Sequence, residues 1–327
     1  RFSLIISASR RTDIPAFFGE WFGNRIKAGY FYRINPYNPN QVKGFSLLPE
    51  DVDAFVFWTK NPRPFFIQLD LIDKMEYNYL FHFTLNDYPS DFEPGLPSVS
   101  QRLDAFKSLS DRIGPKRIIW RYDPVILSSL TPLEYHLEKV AKLARELSGY
   151  TERLVISFLD FYDKVQRNLN RLTITKGIRF EDWLSVENIG SLNYFAAHTP
   201  SIAEDNGIHT YTCCEAVNLQ KYGILPGSCI DGGLINELFG LRKQWKKDPS
   251  QRENCRCAVS VDMGIYDTCK FGCAYCYANT NSKTALKNDK EHFPDSPALI
   301  GRYKGKVKIE KDPIPRGNTF EDQMGLF

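Results

Sequence analysis

Cys269, Cys273 and Cys276 follow one another at the spacing C-x3-C-x2-C, with Tyr275 directly before the last of them. Thiolate sulfur is a soft ligand that suits zinc and iron–sulfur clusters alike, so residue type alone leaves the metal open. Three thiolates on one short loop can bind three irons of a four-iron, four-sulfur cubane. The fourth iron then has no protein ligand and is free to take a small molecule.

The other five of the eight cysteines are Cys213, Cys214, Cys229, Cys255 and Cys257. Four of them, with either Cys213 or Cys214 spare, have the ligand count of a second, auxiliary cluster or of a structural zinc site. Buried free thiols are the plain alternative. No cysteine precedes residue 213. A set confined to the last third of a large chain reads as metal ligands in preference to a disulfide framework.

Nearly continuous apolar runs at 3–9, 54–59, 79–84, 117–122, 154–159 and 209–213 read as strands covered on both faces, and a seventh at 258–263 leads into the cysteine motif. The intervening stretches 16–28, 62–74, 98–113, 132–147 and 180–198 have helical periodicity. Thr131-Pro132 supplies an N-cap followed by proline at the first helical position. Strands alternating with helices predict an α/β fold built on a parallel sheet. Residues 281–327 are charged and then interrupted by prolines. They are expected as an extended tail packing on a body of residues 1–280, with the cluster loop at 255–277 and 324–327 as a docking end.

Polar and charged residues gather where most of these strands end: Arg10, Arg11 and Asp13, then Lys60, Asn86, Arg121, Asp123, Asp160 and Glu215. In a parallel barrel such ends form one rim, where active sites sit. A full or partial TIM-like (β/α) barrel is therefore expected over an open doubly wound sheet. Arg11, Asp13, Lys60, Arg121 and Asp123 are the catalytic candidates, each with a structural alternative as an ion pair or cap. His82, between Phe81 and Phe83, is either an inward proton donor or a core histidine.

The spacing of Cys269, Cys273 and Cys276, with Tyr275 in the aromatic position, resembles the signature of the radical S-adenosylmethionine superfamily. The resemblance implies that the open iron chelates the amino and carboxylate groups of S-adenosylmethionine. One electron then cleaves a carbon–sulfur bond and releases a 5′-deoxyadenosyl radical. Tyr275 matches the aromatic beside the adenine, and Ser260 and Asp262, on the strand entering the motif, are assigned as further cofactor contacts. Auxiliary clusters have precedent in the superfamily, as has an electron donor such as ferredoxin or flavodoxin. The superfamily motif lies near the N-terminus, whereas here it begins at residue 269; a circularly permuted barrel accounts for this. No Gly-Gly-Glu-like element ends the first strand, so Arg11, Asp13 or another rim residue would replace it.

The chain also resembles a family of bacterial and archaeal proteins catalogued as domain of unknown function 1848. The resemblance lies in SASRRTDIP at 7–15, VFWTKNP at 56–62, RYDP at 121–124, the cysteine-bearing stretch 255–278 and the ending 323–327. It implies a cofactor and an architecture but names no substrate.

Composition narrows the rest. A net charge of +3 without a basic stripe argues against a nucleic-acid binder, the stretch 242–247 being read as a solvated helix end. No apolar run reaches the ~18–20 residues of a membrane span. The opening residues read as a strand and not as a signal peptide, so a cytoplasmic enzyme is expected. No phosphate loop, nucleophile elbow or dinucleotide fingerprint offers a competing chemistry. The expectation is a radical S-adenosylmethionine enzyme; a zinc-stabilised binding protein and a nucleic-acid repair radical enzyme are the alternatives.

Overall fold

The computed structural model describes residues 4–35, 38–303 and 307–310. Its centre is a parallel sheet of eight strands: β1 (Leu4–Ala8), β2 (Val52–Thr59), β3 (Tyr79–Thr84), β4 (Ile118–Val125), β5 (Arg153–Phe158), β6 (His209–Cys213), β7 (Leu225–Gly227) and β8 (Val261–Asp262). Their spatial order is β7-β6-β5-β4-β3-β2-β1-β8. Consecutive strands are neighbours throughout, and the last made, β8, lies beside the first, with Ile6 opposite Val261 and Ser7 opposite Asp262. Read from β8 the winding never reverses, so the sheet lacks the switch point of a doubly wound fold.

The predicted α/β class and parallel sheet are present; a closed barrel is not. The two edge strands β7 and β8 share no ladder among the described residues. The segments next to them do touch, through a backbone bond of 2.9 Å from Ala258 N to Ile230 O.

Alternation along the strands sorts their side chains to two faces. Leu4, Ile6, Phe55, Phe57, Phe81 and Phe83 pack into the larger core. That core is completed by α1 (Gly19–Ala28), α2 (Phe66–Lys74), α3 (Val99–Ile113), α4 (Leu133–Glu146) and α6 (Ile189–Glu204). Ile5, Ala54, Val56, Leu80, Ile119 and Val155 turn the other way, toward Leu234 and Ile235 of α7 (Gly232–Phe239) and toward Cys255 and Cys257. Each large side chain fully withdrawn from water contributes roughly 1.5–3 kcal/mol. Both faces are thus apolar, which is why the strands read as unbroken hydrophobic runs.

Several elements depart from the sequence reading. Residues 180–188 are not helical: Phe180–Glu181 pairs antiparallel with Leu127–Ser128, and α6 starts only at Ile189. A small three-stranded sheet was not foreseen: Tyr30–Asn35 pairs antiparallel with Asn38–Ser46, and Ile309–Glu310 joins the latter in parallel. Nor was α5 (Asp163–Lys176), a polar helix with only Val165 and Leu169 buried. The segment from 281 is not extended throughout. Asn281 caps α8 (Ser282–Asp289) by accepting from Thr284 N, because no proline interrupts that stretch. Beyond it the chain lies along α1, where Trp21 Nε1 donates to Ser296 O and Arg25 to Asp295 O. The expected docking end at 324–327 falls outside the described residues. No helix among the described residues is long and apolar enough to cross a membrane.

A candidate thiolate site at the strand ends

In a parallel sheet all C-terminal strand ends share one rim; the motif follows β8, Cys213 closes β6 with Cys214 next to it, Cys229 follows β7, and Cys255 and Cys257 precede β8. Asp262 seats the motif. Its Oδ1 accepts from Ser9 Oγ at 2.6 Å and Gly264 N at 2.8 Å; its Oδ2 accepts from Ser7 Oγ at 2.6 Å and Arg10 N at 3.0 Å. Burial raises its pKa, but Arg11, Arg10 and the two serine hydroxyls more than offset this and hold it below the usual carboxylate value. Both oxygens are therefore engaged within the chain, which makes Asp262 a strut between β8 and β1. A Cβ on Gly264 would stand 2.0 Å from Ser9 Oγ, so only glycine fits against that hydroxyl. Ser260 Oγ is buried and unpartnered among the described residues.

The motif loop is pinned by backbone bonds from Ala274 N to Phe92 O (2.9 Å) and Gly95 N to Phe271 O (3.0 Å), with Asn279 Nδ2 on Cys269 O at 2.6 Å. Cys273 is buried, while Cys269 and Cys276 retain accessible surface. The three thiols feel one another's charge. Burial pushes Cys273 up to about 12 against the opposing pull of Lys60. Such thiols stay protonated at neutral pH until a metal displaces the protons. Behind the loop, Gly272, Cys273 and Asn279 line a cavity of about 160 Å³ with Asn168 and Arg171 of α5. Asn279 Oδ1 is a buried acceptor there with no partner among the described residues.

Lys60, from the end of β2, donates to Glu93 Oε1 at 3.1 Å and to the Tyr275 hydroxyl at 2.8 Å. The Tyr275 hydroxyl in turn donates to Glu93 Oε1. Arg102 approaches the other Glu93 oxygen at 3.6 Å; Glu93 and Arg102 are buried, while Lys60 keeps a small exposed part. Asp13 caps the turn Ile14–Phe17 through Ala16 N and accepts from Lys60 N at 2.8 Å, so it joins the ends of β1 and β2. Burial raises its pKa to about 7. Arg11 lies over the Tyr266 ring, 5.1 Å from its centroid.

The second group of cysteines is one connected nest. Cys213 Sγ lies 2.7 Å from Cys229 Sγ. The Cys257 side chain acts on the pKa of Cys229, that of Cys255 on Cys257, and that of Cys214 on Cys255, which carries the string onward. All five thiols foreseen as ligands are therefore together, with Cys213 and Cys214 at the two ends of the string. The Cys213 contact lowers the pKa of Cys229, but the Cys257 contact and burial carry it to about 11. Among the described residues no group of three or more His, Cys, Asp or Glu side chains is arranged to hold a single metal ion.

Arg121 meets this nest, with Nη1 3.2 Å from Cys229 Sγ and Nε 2.8 Å from Asp123 Oδ2. The foreseen Arg121–Asp123 pair is thus present, and it faces sulfur. His82 stacks on Trp58 with centroids 5.1 Å apart, and its Nε2 lies 2.7 Å from Cys229 O. Burial lowers its pKa to about 3, so it is a neutral core histidine beside the nest. Between the two cysteine groups stands Tyr277, 47 % exposed, donating to Arg10 O at 2.6 Å and sensing the charge of both Cys276 and Cys229.

Residues 5–278 match the family model described as a domain of unknown function (DUF1848). The chain belongs to this family. The DUF1848 match opens inside β1 and closes just past Cys276, so it takes in every strand of the sheet and both thiol groups. No curated protein and no solved structure matches the chain.

In this DUF1848 chain the sequence pointed to Lys60 and Tyr275 but missed Glu93, the carboxylate joining them. Asn86 was noted only as a strand-end residue; its Nδ2 donates to Asp123 O at 3.1 Å. Ser7 and Ser9 were likewise missed as partners of Asp262. Glu215 was noted only as a strand-end residue. It accepts from Phe158 N at 2.9 Å, and burial raises its pKa to about 7.

Proposed function

We propose that the chain is a radical S-adenosylmethionine enzyme on a circularly permuted, incompletely closed (β/α) barrel. The observation that carries this reading is the position of Cys269, Cys273 and Cys276. They leave β8 at the strand-end rim, and from β8 the remaining strands follow in unbroken order. That is the order of a barrel whose cluster loop follows its first strand, with the chain opened one strand later.

Cys269, Cys273 and Cys276 would hold a [4Fe-4S] cluster, and the accessible surface at Cys269 and Cys276 suits an iron open to a ligand. When bound, the cluster and S-adenosylmethionine supply a 5′-deoxyadenosyl radical through one-electron cleavage of a carbon–sulfur bond. Lys60 and Glu93 fix the Tyr275 ring by its hydroxyl, which presents an immobile aromatic face next to two of the three thiols. Asp262 and Ser9 lock the loop to β1. The nest of Cys213, Cys214, Cys229, Cys255 and Cys257 would hold an auxiliary cluster, with one thiol in excess. The electron enters from a small one-electron carrier of the ferredoxin or flavodoxin kind.

Anaerobic reconstitution with iron and sulfide tests the proposal. The expected result is brown protein that yields 5′-deoxyadenosine when reduced with S-adenosylmethionine, and a Cys273→Ala variant that yields none. Colourless protein with stoichiometric zinc and no iron uptake overturns it.

A further inference from the structure

The second thiol nest has a fixed cation built against it. We propose that Arg121 sets the charge balance, and through it the reduction potential, of an iron–sulfur centre held by Cys229, Cys255, Cys257 and either Cys213 or Cys214. This rests on the reading of the nest as an auxiliary cluster. Arg121 is buried in the middle of the sheet, with β4 paired to Thr84 on one side and Val155 on the other, so its stem has no freedom to swing away. Its guanidinium has two jobs. One nitrogen donates to Cys229 Sγ at 3.2 Å, and the group's charge also acts on the Cys213 thiol. The other two bind Asp123 Oδ2.

Asp123 is itself held in place. Ser157 Oγ donates to Oδ1, and Asn86 clamps its backbone from both sides, accepting from Asp123 N at 3.0 Å and donating to Asp123 O at 3.1 Å. This scaffold does nothing for the packing of the sheet that an apolar pair would not do at lower desolvation cost. Its effect is to aim a permanent positive charge at sulfur. Arg10 and Arg252 also face the nest, acting by charge on Cys257 and Cys214. Of these three, Arg121 is the one in hydrogen-bond contact with a thiol among the described residues.

Four thiolates give a cluster net negative charge, and a one-electron reduction adds to it. A buried guanidinium and an N–H···S bond stabilise the reduced form and raise the potential, while the Asp123 carboxylate offsets part of that field. The two partners should therefore move the potential in opposite directions.

The test is a redox titration of the full chain, reconstituted anaerobically with iron and sulfide and followed by electron paramagnetic resonance. A parallel set in a Cys273→Ala background silences the first centre. Arg121→Met is expected to shift the midpoint of the second centre to more negative values by at least about 59 mV, a tenfold change in the one-electron equilibrium. Asp123→Asn is expected to shift it to more positive values, and Arg121→Lys to fall between wild type and Arg121→Met. A merely structural role would lower the iron content of all three variants and leave the potential of the remaining centre unmoved; that result overturns the inference. A wild-type chain with no reducible centre besides the one lost in Cys273→Ala overturns the auxiliary-cluster reading itself, and is seen before any variant is made.

Discussion

Lys60 Nζ and Glu93 Oε1 meet 3.1 Å apart, nearly out of solvent, with the Tyr275 hydroxyl bound to both. A buried pair of this kind is costly to break from one side. Glu93→Leu leaves a buried ammonium without its carboxylate and is expected to cost about 3 kcal/mol in urea unfolding of the metal-free chain. Lys60→Met should cost less, about 1–2 kcal/mol, because Arg102 and Tyr275 still serve Glu93. The double variant should recover part of the Glu93→Leu loss; strict additivity would show that the pair is not coupled.

Gly95 links a loop distant in sequence to the motif. A Cβ there would lie 2.5 Å from the carbonyl oxygen of Phe271, against backbone that cannot turn aside. Gly95→Ala is expected to displace the loop at Phe271–Cys273 and to lower the iron bound per chain at least severalfold, with no cysteine altered. Gly190→Ala, which meets nothing within 4 Å, is the control and should bind iron as wild type does.

Asp262→Asn exchanges a carboxylate that accepts four hydrogen bonds for an amide with only one accepting oxygen. One backbone N–H then faces a donor, at an expected cost of about 2 kcal/mol. The wild-type carboxylate has a depressed folded pKa. Its contribution is therefore present above the unfolded value of about 3.9 and lost as pH falls through the folded value. Acid unfolding curves should show this loss in the wild type and not in Asp262→Asn.

His136 is buried with both ring nitrogens bound, Nδ1 to the Tyr122 hydroxyl and Nε2 to Ile126 O, each at 2.8 Å. Burial lowers its pKa to about 4. The unfolded chain binds a proton near pH 6.5 that the folded chain refuses, so stability is full above that value and falls as pH drops toward 4. The slope approaches about 1.4 kcal/mol per pH unit. In His136→Gln the melting temperature should vary less between pH 6.5 and 4; an unchanged slope refutes the assignment.

The sheet was legible because its strands are covered on both faces and so leave unbroken apolar runs. The exceptions are instructive. Leu225–Gly227 contains Pro226 and is only three residues long, so it gave no strand signal, yet it forms the sheet edge where a proline is tolerated. α5 has too few buried positions to show a helical period. At the site, cysteines and strand-end charges announce themselves by type and spacing. Glu93 does not, since it lies in an irregular segment after β3 and is brought to Lys60 only by the fold. The pairing of Asp262 with Ser9 is set by strand register across 253 residues of chain, which no local pattern records.

The placement of β8 beside β1 also fixes a schedule. A chain made from its N-terminus presents Ser7 and Ser9 long before Asp262 leaves the ribosome. That flank of β1 has no ladder partner until then, and Lys60 and Glu93 await the Tyr275 hydroxyl that the motif brings. Asp262 and Tyr275 thus arrive last among these partners, each at a place whose other half is set by residues made far earlier.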